Sequence, residues 1–329
     1  QEIEAILEHL NIELRRERSK IFRKYLENYN RTLSSRDADK FVDGEQSVID
    51  LSHLVGKDVS VAFKEAQELF ERNLEGKIHA HKIYSHLIDQ VPNEYSEKKL
   101  HVLRGMIREK IWKCEKFFFW NEKFFSQAGQ DKIIKNHFFQ NNKNGFFIEI
   151  GAYDGIIGSN CCHFEKFLNW EGIAIEASKI QYDKLKNNRK CKTVNKAISN
   201  KIKDVEFVEV IEGLTQMSGI NNENNTAIEI INNNKNSKTK ISKITTTTFE
   251  EEIKSNLEID YLSIDIEGEE LDLLKSIDFN KYTIKVISVE NNVPDKFNYN
   301  TFFKSKNFSF FDRIGQDEIF FNNRYYKFN

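Results

Sequence analysis

Apolar positions near the start of the chain recur every three or four residues. Ile3, Leu7, Leu10, Leu14, Ile21 and Tyr25 form one stripe among Glu, Arg and Lys, the pattern of an amphipathic helix or a short coiled coil, which Glu17 interrupts. A second helix is predicted from Asp58, a possible N-cap, through Val61, Phe63, Ala66, Leu69 and Phe70 to Gly76. Others are expected over 78–90 and 96–119, with Pro92 as punctuation between them. Residues 1–122 thus read as an all-helical region: a cap, linker or dimerisation arm, with a substrate-binding role as the alternative. The Phe117-Phe118-Phe119-Trp120 run is expected to be core against the adjoining domain rather than a membrane-touching patch.

From residue 123 to 329 the pattern changes to short apolar runs alternating with helical segments. Phe146 to Ile150, Ile173 to Ile175, Tyr261 to Ile264 and Val286 to Val289 read as strands covered on both faces. Weaker strands are expected near Lys192 to Asn195, Val205 to Val210 and Ile244 to Thr248, with helices over 178–188, from Phe249, and around Leu271 to Lys275. Residues 221–240, with Asn232-Asn233-Asn234 at their centre, read as a polar loop beside a pocket or as a solvated surface excursion. Phe308 to Phe311 and Glu318 to Phe321 are expected to close the sheet as an antiparallel pair. The alternation predicts an α/β fold with a doubly wound, Rossmann-like sheet.

The most specific local signal is Glu149-Ile150-Gly151-Ala152-Tyr153-Asp154-Gly155, followed by Ser159-Asn160. It joins a buried strand to a turn in which Gly151 and Gly155 let the backbone come close to a ligand. Twenty-one residues beyond Gly155, the next strand ends in Glu176, well placed to accept hydrogen bonds from the ribose hydroxyls of an adenosine. The turn lacks G-x-G-x-x-G, and the Glu149 and Asp154 carboxylates would repel a pyrophosphate. They suit a cofactor carrying a sulfonium and an ammonium, as S-adenosylmethionine does.

Further segments occur in one fixed order. They are Ser126 to Asp131, the Glu149–Gly155 turn, Ser159-Asn160, Phe164-Glu165-Lys166, Trp170-Glu171-Gly172, Glu176 and Asn195 to Ser199. Met217 to Ile220, Thr247-Thr248-Phe249, Tyr261 to Glu270 with its D-x-E-G-x-E element, and Val289-Glu290 complete the series. This order resembles the FkbM family of S-adenosylmethionine-dependent O-methyltransferases over roughly residues 124 to 325. The resemblance implies a class I methyltransferase sheet in which Glu149, Gly151, Asp154, Gly155 and Glu176 bind the cofactor, with Ala197 near its adenine. Ser159 and Asn160 are expected to share in that site.

Ligands of such sheets bind beyond the carboxyl ends of the strands. Asp265 and Glu267 follow one strand; Glu290, Asn291 and Asn292 follow the next. Transfer of a methyl group to a hydroxyl needs in-line approach of the oxygen and removal of its proton. Asp265 or Glu267 could be the general base. Alternatively Asp265, Glu267, Glu290 and Asn291 offer oxygen ligands to Mg²⁺ or another divalent cation, and the sequence leaves this choice open. His163 is a further candidate base, although the resemblance leads one to expect an aromatic residue such as Tyr at that position. Glu269 and Glu270 are expected to be no more than charges favoured at a helix N-terminus. Asp317 matches a family aspartate for which a structural role is expected.

The reading that follows is a methyltransferase acting on a hydroxyl of a sugar or glycan in cell-surface polysaccharide or glycoconjugate biosynthesis, the acceptor class resting on the resemblance alone. A nicotinamide-dependent oxidoreductase and a non-catalytic scaffold are the alternatives. Lys plus Arg at 49 against Asp plus Glu at 51 gives no field that favours nucleic acid. With no apolar run of the ~20 residues a membrane span needs and no signal-peptide pattern, a cytoplasmic location is expected. Cys114, Cys161, Cys162 and Cys191 read as reduced thiols. A homodimer through the first helix is plausible on its apolar stripe. The start at Gln1, without methionine, suggests a longer polypeptide.

Overall fold

The computed structural model describes residues 59–93, 95, 98–118, 123–140, 142–254, 256–294 and 296–328. The stripe from Ile3 to Tyr25, the dimer argued from it, the cap at Asp58 and the aromatic pair Phe119-Trp120 lie outside the described residues. Among those described, no helix is long and apolar enough to cross a membrane, and all four cysteines are free thiols.

The described residues fall into two compact units, with the division inside one helix. The first takes 59–93 and 106–118 and is helical. It contains α1 (Val59–Arg72), α2 (Leu74–Gln90) and the later part of α3 (Lys98–Phe117). Ala62, Ala66, Ala80 and Leu87 are buried in it, and the Phe63 and Tyr84 rings lie 5.4 Å apart. The sequence placed Gly76 at the end of a helix, whereas the structure puts it in the first turn of α2. Asn73 decides this: its Oδ1 accepts the Gly76 N–H at 2.7 Å, capping a new helix at that point.

The second unit takes 95, 98–105 and the described residues from 123 onward. Its elements begin with α4 (Gln130–Phe138), β1 (Phe146–Ile150), α5 (Cys162–Leu168), β2 (Glu171–Ile175), α6 (Lys179–Asn188) and β3 (Lys192–Val194). Then come β4 (Asp204–Glu212), a 3₁₀ turn at Thr215–Met217, β5 (Gly219–Ile220), α7 (Ala227–Asn233) and β6 (Lys238–Thr245). The chain closes with α8 (Phe249–Glu252), β7 (Glu258–Ile264), α9 (Glu270–Ser276), β8 (Thr283–Glu290), α10 (Tyr299–Lys304), β9 (Phe308–Ile314) and β10 (Asp317–Asn322).

Seven strands form the main sheet in the order β3-β2-β1-β7-β8-β10-β9. The first five are mutually parallel, and β10 pairs antiparallel with both β8 and β9. Successive strand residues face opposite sides. Ile148, Ile150, Leu262, Ile264, Ile287 and Val289 therefore pack into one apolar layer with Phe249, Leu273 and Tyr282. Phe147, Tyr261 and Val286 pack into the other, with Phe139, Phe164 and Trp170. The chain runs from β1 to β2 and β3 on one side and later returns to β7 and β8 on the other, so a switch point opens beyond the tip of β1.

Two expectations need correction. The strand over 205–210 does not join the main sheet; it is β4, the centre of a separate three-stranded sheet, β5-β4-β6. The polar stretch 221–240 is not a featureless loop, because it contains α7 and the start of β6. Ala227 and Ile231, one turn apart, are buried there against Val210.

β2 runs against β1 with Gly172 opposite Phe147, and a Cβ on Gly172 would lie 2.6 Å from the Phe147 ring. Gly172→Ala is expected to destabilise the protein by about 1–3 kcal/mol, read as a lower urea midpoint at unchanged slope.

Candidate functional site

The tips of β1, β2, β7 and β8 border a cavity of about 320 Å³. Its floor is the β1 turn. Gly151 has φ +85° and its N–H bonds to Ile175 O at 2.9 Å; a Cβ there would lie 1.7 Å from Asp265 O, so the β1 and β7 tips can meet only at glycine.

At one end Glu176 is buried, 8% exposed. Its carboxylate accepts the Tyr153 N–H at 2.8 Å and the Ser178 N–H at 2.7 Å. Burial pushes its pKa up to about 7, against the pull of those donors. Beside it the strap Asn195-Lys196-Ala197 is tied down by Asn195 Nδ2, which donates to Glu176 O and Ala177 O. Ala197, Ile198, Phe207 and Ile220 make this end apolar.

A roof spans the cavity from Thr215 to Ile230. It is fixed on the Glu176 side by the hydroxyl contact between Tyr153 and Thr215, 2.6 Å, from a Tyr153 held at φ +49°. On the other side it rests on the D-I-E-G-E loop. Glu267 stands at φ +55°, and a Cβ on Gly268 would lie 2.7 Å from the Asn224 backbone. Glu269 binds both Ser199 Oγ and Asn222 Nδ2.

The other end is acidic. Asp265, Glu267 and Glu290 line it. Burial, followed by the Glu267 charge, holds the Asp265 carboxyl well above the usual range; burial and then Asp265 do the same to Glu290. Burial, with Glu270 next, pushes Glu267 up to about 7. Carboxylate oxygens of Asp265, Glu270 and Glu290 lie within 4.8 Å of one another. Glu270 also accepts the Ile266 and Gly268 N–H groups, 3.0 and 3.1 Å. Glu270, expected from the sequence to be only a helix-end charge, belongs to this cluster; its signal is its spacing, five residues after Asp265.

Of the residues singled out in the sequence, Gly151, Ser159, Glu176, Ala197, Asp265, Glu267 and Glu290 border the cavity, and Glu149, Asp154, Gly155, Asn160, His163 and Asn291 do not. Glu149 shares the Phe147 face of β1, where it accepts Arg189 Nη1 at 2.9 Å, Ser159 Oγ at 2.8 Å and the Asn160 N–H at 2.8 Å. Its charge is matched beneath the turn. Asp154 accepts the Ile156 and Ile157 N–H groups, both at 2.8 Å, and so shapes the loop. Gly155, at φ +80°, packs on Leu185 and Arg189. Asn160 donates to Ser263 Oγ and Asp317 Oδ2. His163 bonds Lys123 O at 2.8 Å and stacks on Phe124 at 4.2 Å, with burial lowering its pKa. Asn291 donates to Glu318 and Phe297 O. Glu318 also takes Tyr95 at 2.7 Å and Arg313 at 3.1 Å, a network whose members no local sequence pattern joins.

With this geometry in view, the methyltransferase FkbM domain model matches residues 149–316. Among solved structures the chain is similar to the methyltransferase FkbM from Methylobacillus flagellatus KT, at 11% identity and TM-score 0.35. That alignment covers 74% of this chain and spans 59% of the other. It is also similar to the N-terminal domain of human METTL16, at 11% identity and TM-score 0.31, over 83% of this chain and 95% of that one. No protein of curated function matches the chain.

The buried Arg189 is paired with Glu149 and, at 2.6 Å, with Glu165. Arg189→Leu would leave the buried Glu149 and the half-buried Glu165 unmatched and is expected to cost about 3–5 kcal/mol in denaturant unfolding. Adding Glu149→Leu is expected to recover part of that loss.

Proposed function

The chain belongs to the FkbM methyltransferase family, and we propose that it transfers a methyl group from S-adenosylmethionine to a hydroxyl of a sugar or glycan destined for a polysaccharide or glycoconjugate. Methyl transfer with S-adenosylmethionine follows from the family; the oxygen acceptor and its class are our reading. The observation that carries it is the opposition, across one cavity, of a buried carboxylate at the β2 tip to a group of carboxylates at the β7 and β8 tips. We assign the catalytic domain to residues 123–329 and a helical region to 1–122.

In this reading Glu176 accepts the two ribose hydroxyls, and the Ala197–Phe207 wall takes the adenine. Gly151 leaves room along the floor for the methionine part. Ser159 lies at the cavity edge, while Glu149, Asp154, Gly155 and Asn160 act through the turn, holding its shape from behind. Asp265, Glu267 and Glu290 face the sulfonium end, where a cationic ligand would favour their ionised forms. S-adenosylmethionine supplies a methyl carbon on a sulfonium, so that as the acceptor oxygen bonds to it the C–S bond breaks and its electron pair stays on sulfur. The hydroxyl proton passes to Asp265, whose raised pKa makes it a strong acceptor once ionised. His163, stacked and bonded away from the cavity, has no part in this scheme.

A divalent cation also fits the donor chemistry, through Asp265, Glu270 and Glu290 rather than through Glu267 and Asn291. Such an ion would lower the pKa of a hydroxyl it bound. Activity that survives exhaustive chelation would remove that version and leave Asp265 as base.

Glu176→Gln is expected to weaken S-adenosylmethionine binding by about tenfold or more, through loss of charge-assisted hydrogen bonds, in calorimetric titration. Asp265→Asn is expected to retain binding while release of S-adenosylhomocysteine in the presence of acceptor falls by about 10²-fold or more. An Asp265→Asn protein with full turnover would exclude it as the base.

A further inference from the structure

The acceptor end of the cavity is built from two kinds of side chain. Asp265, Glu267 and Glu290 are the carboxylates, half-buried or buried. Gln127, Asn292 and Gln316, three exposed amide side chains, line the same cavity, with Asn292 two residues beyond Glu290 and Gln316 O bonded to the Asn291 N–H. They come from three different segments: the stretch before α4, the end of β8 and the β9–β10 turn. None of the three makes a side-chain hydrogen bond among the described residues, so each presents a free carbonyl oxygen and a free NH₂ group to the cavity.

These amides are backed by fixed structure. Asn291 donates its N–H to Gln316 O at 3.0 Å, and its O accepts Arg313 Nη2 at 2.8 Å, which sews the β8 end to the β9–β10 turn. Asn291 Nδ2 reaches Glu318 at 2.7 Å, and Glu318 is fully buried with Arg313, His101 and Tyr95 around it. Gln127 lies on Gly158, where a Cβ would come within 3.2 Å of its Cγ.

The charge at this end has one sign. Lys196 is the one basic side chain among the described residues lining the cavity, and it neighbours Ala197 at the apolar end. Arg313 has its charge matched by Glu318. An acceptor bearing a phosphate or carboxylate would meet unmatched carboxylates in a site of low dielectric. A neutral polyol would instead find both donors and acceptors.

Building on the methyltransferase reading above, we propose that the acceptor group entering this site is an uncharged, polyhydroxylated sugar, and that Gln127, Asn292 and Gln316 determine this specificity by hydrogen-bonding its hydroxyls. Phosphorylated sugars and uronates are excluded by the carboxylates of the cavity.

The test uses the full chain with S-adenosylmethionine and a panel of neutral hexose methyl glycosides and oligosaccharides, each beside its uronate and sugar phosphate counterparts, with Mg²⁺ and with chelator. Release of S-adenosylhomocysteine is the readout, and calorimetry tracks cofactor binding. The expected result is turnover on a neutral member, with kcat/KM at least about tenfold lower on its anionic counterpart. In Asn292→Ala and Gln316→Ala, acceptor KM is expected to rise about fivefold each, with cofactor affinity and kcat unchanged. Asn292→Lys is expected to narrow the gap between neutral and anionic acceptors. Equal or better turnover on anionic members, with or without Mg²⁺, would overturn the proposal. So would bound cofactor with no turnover on any member, or an unchanged KM in both Ala variants. Failure to bind S-adenosylmethionine at all would instead sink the underlying methyltransferase reading.

Discussion

Carboxylates taken out of water, some matched by a cation and some not, are the constraint on which this molecule depends. A buried charge without a partner is costly, so its carboxyl shifts toward the neutral form or waits for a positive ligand. Glu149 is matched: Arg189 lies against it, over the Phe147 ring at 5.2 Å. That pair lies under the turn and fastens it. Glu176, Asp265, Glu267 and Glu290 are unmatched, and all four face the cavity. Of these five acids, the one with a guanidinium beside it lies under the turn, and the four without one face the cavity.

The scaffold makes this arrangement possible by spending side-chain volume elsewhere. Two apolar layers, aromatic-rich on the Phe147 face and mixed aliphatic and aromatic on the Ile148 face, hold the parallel strands so that four tips converge. Glycine at 151 then lets the β1 and β7 tips meet. The roof over the cavity is a separate piece, the insertion containing β4 to β6 and α7. It is clipped to the β1 turn by Tyr153 at one end and to the loop after β7 by Glu269 and Gly268 at the other. Enclosure of the cavity and the shape of the D-x-E-G-x-E loop are therefore linked through the same contacts.

Much of this was legible in the chain. Continuous apolar runs identified the buried strands, and the acidic residue after Ile175 identified the β2 tip. Glu149, expected at the cofactor, does not border the cavity: strand alternation puts it on the Phe147 side, away from Ile150. Its partner Arg189 is 40 residues away, beyond the reach of local pattern. The Asn-rich composition of 221–240 concealed an i, i+4 apolar pair, Ala227 and Ile231, that helix periodicity would have found. The separate sheet of β4, β5 and β6 had no local signal, because a strand's periodicity does not state which sheet it joins. The network centred on Glu318 was equally silent, since its members are far apart in sequence.

In the proposed function Glu176 is an unmatched carboxylate that receives the cofactor's ribose in its ionised form. Titration of S-adenosylmethionine at pH 6, in buffers of different ionisation enthalpy, tests it most directly. With its pKa near 7 the free group is largely protonated there, and binding hydroxyl donors stabilises the anion. Sign and size follow: binding should release protons, and Glu176→Gln should reduce that release by about one. A wild-type protein that binds without releasing a proton, or a variant whose release is unchanged, would contradict the account.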